Sequence, residues 1–197
     1  MAVAAGAWIV FEDESGQSLR PPKARTWSRR GHTPVVTVNG AGGGRVSAAG
    51  LIAVRPGRRT RLFYRLVVYH GRKGEPKGLR EDDYIALLHA AHHQLGAPIV
   101  LFWDNLNTHH SAAMQAFLDR NDWLTVIRLP AYAPELNPVE GLWSQVKRQL
   151  ANLIPSTVDQ LAAQVRTLLK RAQYRPGLLD GFIAETGLTL DTNPQCP

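Results

Sequence analysis

The segment PIVLFWDNL, residues 98–106, lies between a helix-period stretch, REDDYIALLHAAHHQLG (80–96), and a second apolar run, LTVIRLP (124–130). An apolar run this short, with no polar alternation, reads as a strand buried on both faces, and helices on either side of it in sequence are what cover such strands. Tyr84, Leu87, Leu88, Ala91 and Leu95 recur at helical spacing, acids occupy the first turn, and Gly96 stops the helix. A helix over roughly 109–120 separates the two runs, so this half of the chain predicts a parallel βαβ unit.

The half before it reads differently. WIVFE (8–12) is a buried strand, and TWSRRGHTPVVTV, RVSAAGLIAV and RLFYRLVVYH follow as three more strand candidates. An Asn-Gly cluster, NGAGGG, and a Pro-Gly turn, RPGRR, separate the last three, which predicts an antiparallel meander. The glycine cluster lacks the spacing of a phosphate loop and is expected to be a hairpin tip. After LTVIRLP, a helix starting behind Asn137 is expected to bury Val139, Leu142, Trp143, Val146, Leu150 and Leu153. A last helix begins near STVDQ, where Thr157 and Gln160 have capping-box spacing. The expected fold class is α/β: a mixed sheet, antiparallel meander plus parallel strands, flanked by helices.

Composition adds two constraints. Hydrophobic content of 44% and charged content of 20% fit one ordinary globular domain in 197 residues, and the single cysteine, Cys196, excludes an intrachain disulfide and a cysteine-based zinc site. The net charge of +7 is segregated: residues 15–74 hold thirteen Lys or Arg and no acid. Such a surface draws polyanions, and nucleic acid is the commonest of these. Arg25, Arg29, Arg30, Arg58 and Arg59 in that stretch, with Lys147 and Arg148 further on, are the candidate DNA contacts. No stretch is apolar enough to span a membrane, and the opening apolar run is expected to be a strand.

Two acids end two apolar strands, Asp13 after WIVFE and Asp104 after PIVLFW. Were those strands neighbours, about 4.8 Å apart, both side chains would leave the same face. Paired carboxylates repel unless a cation lies between them, and two Mg²⁺ ions held by such groups stabilise attacking and leaving oxygens at phosphorus. Each acid also has an ordinary reading: Asp13 a solvated strand end, Asp104 a turn residue, Glu140 the N3 partner in an Asn137-Pro138-x-Glu140 cap. The histidines of the first helix, His89, His92 and His93, lack a zinc-protease pattern, and Trp27, Trp103 and Trp143 are expected in the core. Trp103, one residue before Asp104, is expected on the opposite face of the sheet and beneath a helix.

FEDES, RTWSRRGHTPV, WDNLNTHHS and LPAYAPELNPVEGLWSQVKR together resemble the DDE transposases of bacterial insertion sequences related to the Tc/mariner superfamily, over roughly residues 8–152. Asp104 and Glu140 have 35 residues between them, close to the spacing of that group. The resemblance implies a ribonuclease H-like fold and a catalytic, metal-ligating triad of Asp13, Asp104 and Glu140 with two Mg²⁺ or Mn²⁺ ions. It also implies cleavage and strand transfer of double-stranded DNA, that is, phosphodiester hydrolysis and transesterification. A homodimer within a complete transposase, working in the bacterial cytoplasm at the nucleoid, goes with it. Members of the group carry helix-turn-helix modules before the first Asp. Here that residue is number 13, so the expectation is one catalytic domain, core about 8–152 with a helical extension about 153–197. A second reading frame, a truncated copy and an excised fragment all fit that expectation. The rival readings are a non-catalytic DNA-binding derivative and another nuclease of the same fold.

Overall fold

A computed structural model describes residues 6–20, 27–32, 43–104, 111–130, 133–151, 153 and 155–188. The strands are β1 (Trp8–Ser18), β2 (Arg45–Val54), β3 (Arg61–Tyr69), β4 (Ile99–Trp103) and β5 (Leu124–Arg128). The helices are α1 (Glu81–Leu95), α2 (Ala112–Asp119), α3 (Pro138–Leu150), α4 (Val158–Gln173) and α5 (Pro176–Glu185). The strands form one sheet in the order β3-β2-β1-β4-β5, antiparallel from β3 to β1 and parallel from β1 to β5. That is the mixed sheet the sequence predicts, with the meander on one side of β1 and the βαβ unit on the other.

Each face carries its own apolar layer. On one, Phe11, Val46, Ile52 and Leu62 pack beneath α3, α4 and α5 through Leu142, Trp143, Val146, Val165, Leu169 and Phe182. On the other, Val10, Leu51 and Leu101 pack beneath α1 and α2 through Tyr84, Leu88 and Met114, with Trp103 among them. Trp103 and Trp143 are fully buried, as expected, and truncating either to alanine costs about 3–5 kcal/mol.

Four expectations need correction. Residues 27–32 form a turn, with the His32 N–H donating to the Arg29 carbonyl at 3.0 Å, and not a strand; the rest of that candidate lies outside the described residues. With no strand to carry it inward, Trp27 is fully exposed instead of in the core. Leu153, three residues past the end of α3, is off the helical repeat and 37% exposed. The chain after α3 makes two helices where one was expected: Pro176 starts α5 at its first turn, and Leu179, Phe182 and Ile183 close the core. Gly44, read as part of a hairpin tip, is also tightly packed: a Cβ there would lie 2.9 Å from Val158 Cβ.

The α3–α5 contact rests on a glycine. A Cβ at Gly141 would lie 2.7 Å from the Phe182 ring, while one at Gly181, also helical, would meet nothing within 4 Å. Alanine raises helix propensity by about 1 kcal/mol at either site, but overpacking costs about 1–3 kcal/mol at the first alone. Gly141→Ala should therefore lower the melting temperature and Gly181→Ala should hold or raise it, as read by thermal circular dichroism. Equal effects would show that this contact gives way freely.

Candidate active site

β1 is longer than its apolar run. It continues past WIVFE to Ser18, because β2 pairs with it throughout, from Ile9↔Val54 to Ser18↔Arg45. Asp13 is thus within the strand, opposite Gly50, and does not end it. On its other side β1 pairs in parallel with β4 from Trp8↔Ile99 to Phe11↔Phe102, and β4 stops at Trp103. Extending that register by two residues sets Asp13 beside Asp104, the first residue after β4. Asp13 follows Phe11 by two, so it leaves the face covered by α3, and Asp104 follows Phe102 by two on the same face. Phe11 and Phe102 stack there, ring centres 5.1 Å apart.

Glu140 reaches this face from α3. Asn137 is the N-cap: its Oδ1 accepts from the Val139 N–H at 3.1 Å, and Pro138 takes the first helical position. The Asn137 side-chain amide donates to the Glu12 carbonyl at 2.7 Å in a buried contact, tying the start of α3 to β1 one residue from Asp13. The Asn137 N–H is bonded to the Pro134 carbonyl at 3.0 Å, so the reciprocal half of a capping box is already satisfied without Glu140. Trp143, one turn on, lies over Gly50, where a Cβ would come within 3.0 Å of its ring. A side chain at Gly50 would lift α3 and carry Glu140 away from Asp13.

The electrostatics follow from burial. The Asp13 carboxyl is pushed from 3.8 up to about 7, chiefly by burial, then by the charges of Glu140 and Asp104, against a hydrogen bond from the Glu14 backbone. Its Oδ2 is buried and has no hydrogen-bond partner. Burial also holds the neighbouring Glu12 well above the carboxylate range, with Glu14, Asp13 and Asp104 adding to it. Tyr84 of α1 is raised by burial and by a hydrogen bond to Glu14. Glu12 faces the α1 side, opposite Asp13, and no sequence signal distinguished it from a solvated acid; its place in the middle of a central strand is what buries it.

Oxygen donors of this kind fit a hard divalent cation. Asp13 brings a buried oxygen with no partner, and two further carboxylates are near enough to raise its pKa. Among the described residues no three His, Cys, Asp or Glu side chains are gathered closely enough to hold one ion as they stand. The acids are near enough for their charges to act on one another.

The basic candidates divide. A depression of about 550 Å³ beside Glu140 is lined by Asn137, Ser144 and Arg148, with Phe182 and Glu185 opposite. Lys147 is exposed on the same helix. Arg58 and Arg59 lie in the β2–β3 turn beyond Val54, which pairs with Ile9, so they are at the other end of the sheet from Asp13. Arg29 and Arg30 are exposed in the 27–32 turn, and Arg25 lies outside the described residues, as do His109 and His110. Two of the α1 histidines meet aromatic rings, His92 stacking on Trp123 with centres 3.9 Å apart and His89 meeting Phe117 edge-on, while His93 is exposed.

Against known proteins, residues 8–162 match the model of the DDE superfamily endonucleases. The chain belongs to this family. It is 26% identical over 177 residues to an insertion element IS630 uncharacterized 39 kDa protein of Shigella sonnei, covering 86% of this chain and 46% of that protein. The chain thus spans about half the length of the curated relative it matches. Its fold is that of the catalytic domain of Mos1 mariner transposase, at 16% identity and a TM-score of 0.50, covering 93% of this chain and 84% of that one. The Mos1 paired-end complex with Mg superposes at 0.60 with 15% identity, covering 93% and 56%. The sheet is therefore ribonuclease H-like, and the expected kinship with Tc/mariner-related transposases holds. Among the described residues no helix is long and apolar enough to cross a membrane.

The raised Asp13 fixes the sign of a pH dependence. An acid with a raised folded pKa holds its proton more tightly in the folded chain, so its stabilisation is complete below the ordinary value and lost as pH rises through the folded one. Without metal, the stability that Asp13 contributes should fall as pH rises from 3.8 to about 7, by on the order of a few kcal/mol, and the melting temperature with it. Asp13→Asn should flatten part of that slope, since Glu12, itself raised well above its ordinary value, leaves a slope of the same sign. Thermal melts in chelator across this range test it; an unchanged slope in the variant would place the titration elsewhere.

Proposed function

We propose that this chain is a transposase catalytic domain that cleaves DNA and transfers the strand, with Asp13, Asp104 and Glu140 as its catalytic carboxylates and metal ligands. One observation carries the reading: a buried Asp13 carboxyl, one oxygen of it without a hydrogen-bond partner, raised chiefly by burial and then by the charges of two other acids that arrive from the end of a neighbouring strand and from a capped helix. Clustered, desolvated acids are costly unless a cation completes the set, and such perturbed groups gather at functional sites.

Two Mg²⁺ or Mn²⁺ ions, when bound, supply charge stabilisation to the attacking and leaving oxygens of an in-line displacement at phosphorus. The chain's own part is positional. Asp13 is fixed on the central strand, Asp104 leaves its neighbour at the same level, and the Asn137 tie to β1 fixes Glu140. Arg148 and Ser144 line the depression beside Glu140, where a phosphate next to the scissile one is within their compass. The substrate is double-stranded DNA, met at phosphates and not read at base edges. A homodimer in the complete transposase and a place at the bacterial nucleoid belong to the same proposal.

Asp104→Asn should abolish Mg²⁺- or Mn²⁺-dependent nicking of supercoiled plasmid while leaving the metal-free melting temperature unchanged or slightly raised, since one repelling charge is gone. Glu140→Gln should do the same. Added Mg²⁺ should stabilise the wild type and not the variants. Equal stabilisation of all three would remove these residues from the ligand set.

Binding should fall steeply with salt, by roughly 0.9 log units of affinity per log unit of salt for each phosphate neutralised. Isotherms on an element end and on scrambled duplex should agree within about tenfold, or roughly 1.4 kcal/mol. A larger preference for the end would show that this domain reads bases.

A further inference from the structure

The outward face of α4 carries Thr167, Lys170, Arg171 and Tyr174 at helical spacing, and Arg175 follows at the start of α5. Lys170, Arg171, Tyr174 and Arg175 are all exposed, and Tyr174, an aromatic residue, is 68% exposed. Two depressions meet at this ring. One, of about 410 Å³, is lined by Thr167, Lys170, Arg171 and Arg175; the other, of about 310 Å³, by Arg59, Arg61, Gln94 and Gln173. The corner is rigid: the Gln173 side chain donates to the Leu62 carbonyl at 2.7 Å, and Arg61 donates to the Gln94 carbonyl at 3.0 Å.

Acids are few here. The nearest, Asp180, accepts from the Thr60 hydroxyl, and the acid of α4, Asp159, is at the other end of the helix beside His70. Among the described residues Arg59, Lys170, Arg171 and Arg175 form no salt bridge. Lys170 and Arg171 complement the negative end of the α4 dipole, which accounts for two cations. It accounts for neither Arg59 and Arg175 nor an exposed aromatic ring among them.

The location separates this surface from the carboxylates. Arg61 is level with Ala53 and Val10, three residues along the sheet from Asp13 and two strands across, about 10 Å in each direction. A phosphate held at Asp13 is beyond its reach. Cations that track a backbone, with an aromatic face between them, are the pattern that holds unpaired nucleotides, because a base in a duplex is already stacked and offers no free face.

We propose that the α4–α5 corner is a second nucleic-acid site, which takes a single-stranded segment with its phosphates on Arg59, Lys170, Arg171 and Arg175 and a base on Tyr174. The proposal is independent of the nuclease reading, and its test needs no metal. Fluorescence anisotropy in chelator compares a labelled single strand with the matching duplex. Tyr174→Ala should weaken single-strand binding about tenfold and duplex binding less than threefold. Arg59→Glu with Arg175→Glu, neither inside a helix, should weaken single-strand binding at least tenfold, and adding Lys170→Glu and Arg171→Glu should deepen the loss. Reversal of three scattered cations, Lys77, Arg120 and Arg128, should cost less than threefold. A Tyr174→Ala protein that binds the single strand normally, a loss confined to duplex, or a loss no larger than that of the scattered control would each overturn the proposal.

Discussion

β1 outlasts its neighbour on one side, and the candidate site depends on that inequality. β2 pairs with it over ten residues, while β4 pairs over four and then stops. Beyond Phe11 no described strand pairs with β1 on that side, while the β2 ladder continues to hold it. A carboxylate here is both fixed and accessible, which neither a fully paired strand nor a free loop provides. The consequence is visible in Asp13, buried enough to be raised to about 7 yet adjacent to the residue that ends β4.

The second dependency is the single amide of Asn137. Its carbonyl oxygen caps α3, and its NH₂ holds the Glu12 backbone. One side chain thus sets where the helix begins and how far it stands from the sheet. Gly50 permits that distance and Trp143 fills it. The turn Pro134–Leu136 takes up the Asn137 N–H through Pro134. Glu140 is left with no capping task at the helix start, and only the helix dipole favours an acid at that position.

Much of this was legible in the sequence, for local reasons. Helix starts and stops are written in single residues: Asn137, Thr157 and Gly96 each do what their type predicts. The sheet class followed from the order of apolar runs. What was not legible depended on partners distant in sequence. The length of β1 is set by β2, so the strand runs through polar residues that read as an end. Glu12 is buried because Tyr84 and its helix cover that face. Trp27 was assigned to the core by its chemistry alone, and no neighbouring strand exists at residues 27–32 to bury it. The start of α5 was marked by Pro176, but Tyr174-Arg175 before it carries no capping side chain, so the signal was half of the usual pair.

The charge layout links the proposed chemistry to the fold. A chain of net charge +7 brings Asp13, Asp104 and Glu140 around one point, with Glu12 and Glu14 on the other face of β1 adding their charge. A DNA phosphate approaching that point without metal meets like charge, while the basic surfaces on either side attract it. On the proposed reading, flanking cations hold the nucleic acid by its neighbouring phosphates, and the acidic centre admits the scissile one only once its own repulsion is neutralised. The same arrangement makes chemistry conditional on metal without requiring any moving part. On the same reading, a carboxylate placed within residues 15–74, which hold none, would compete with phosphate for the cations there and weaken the hold on DNA.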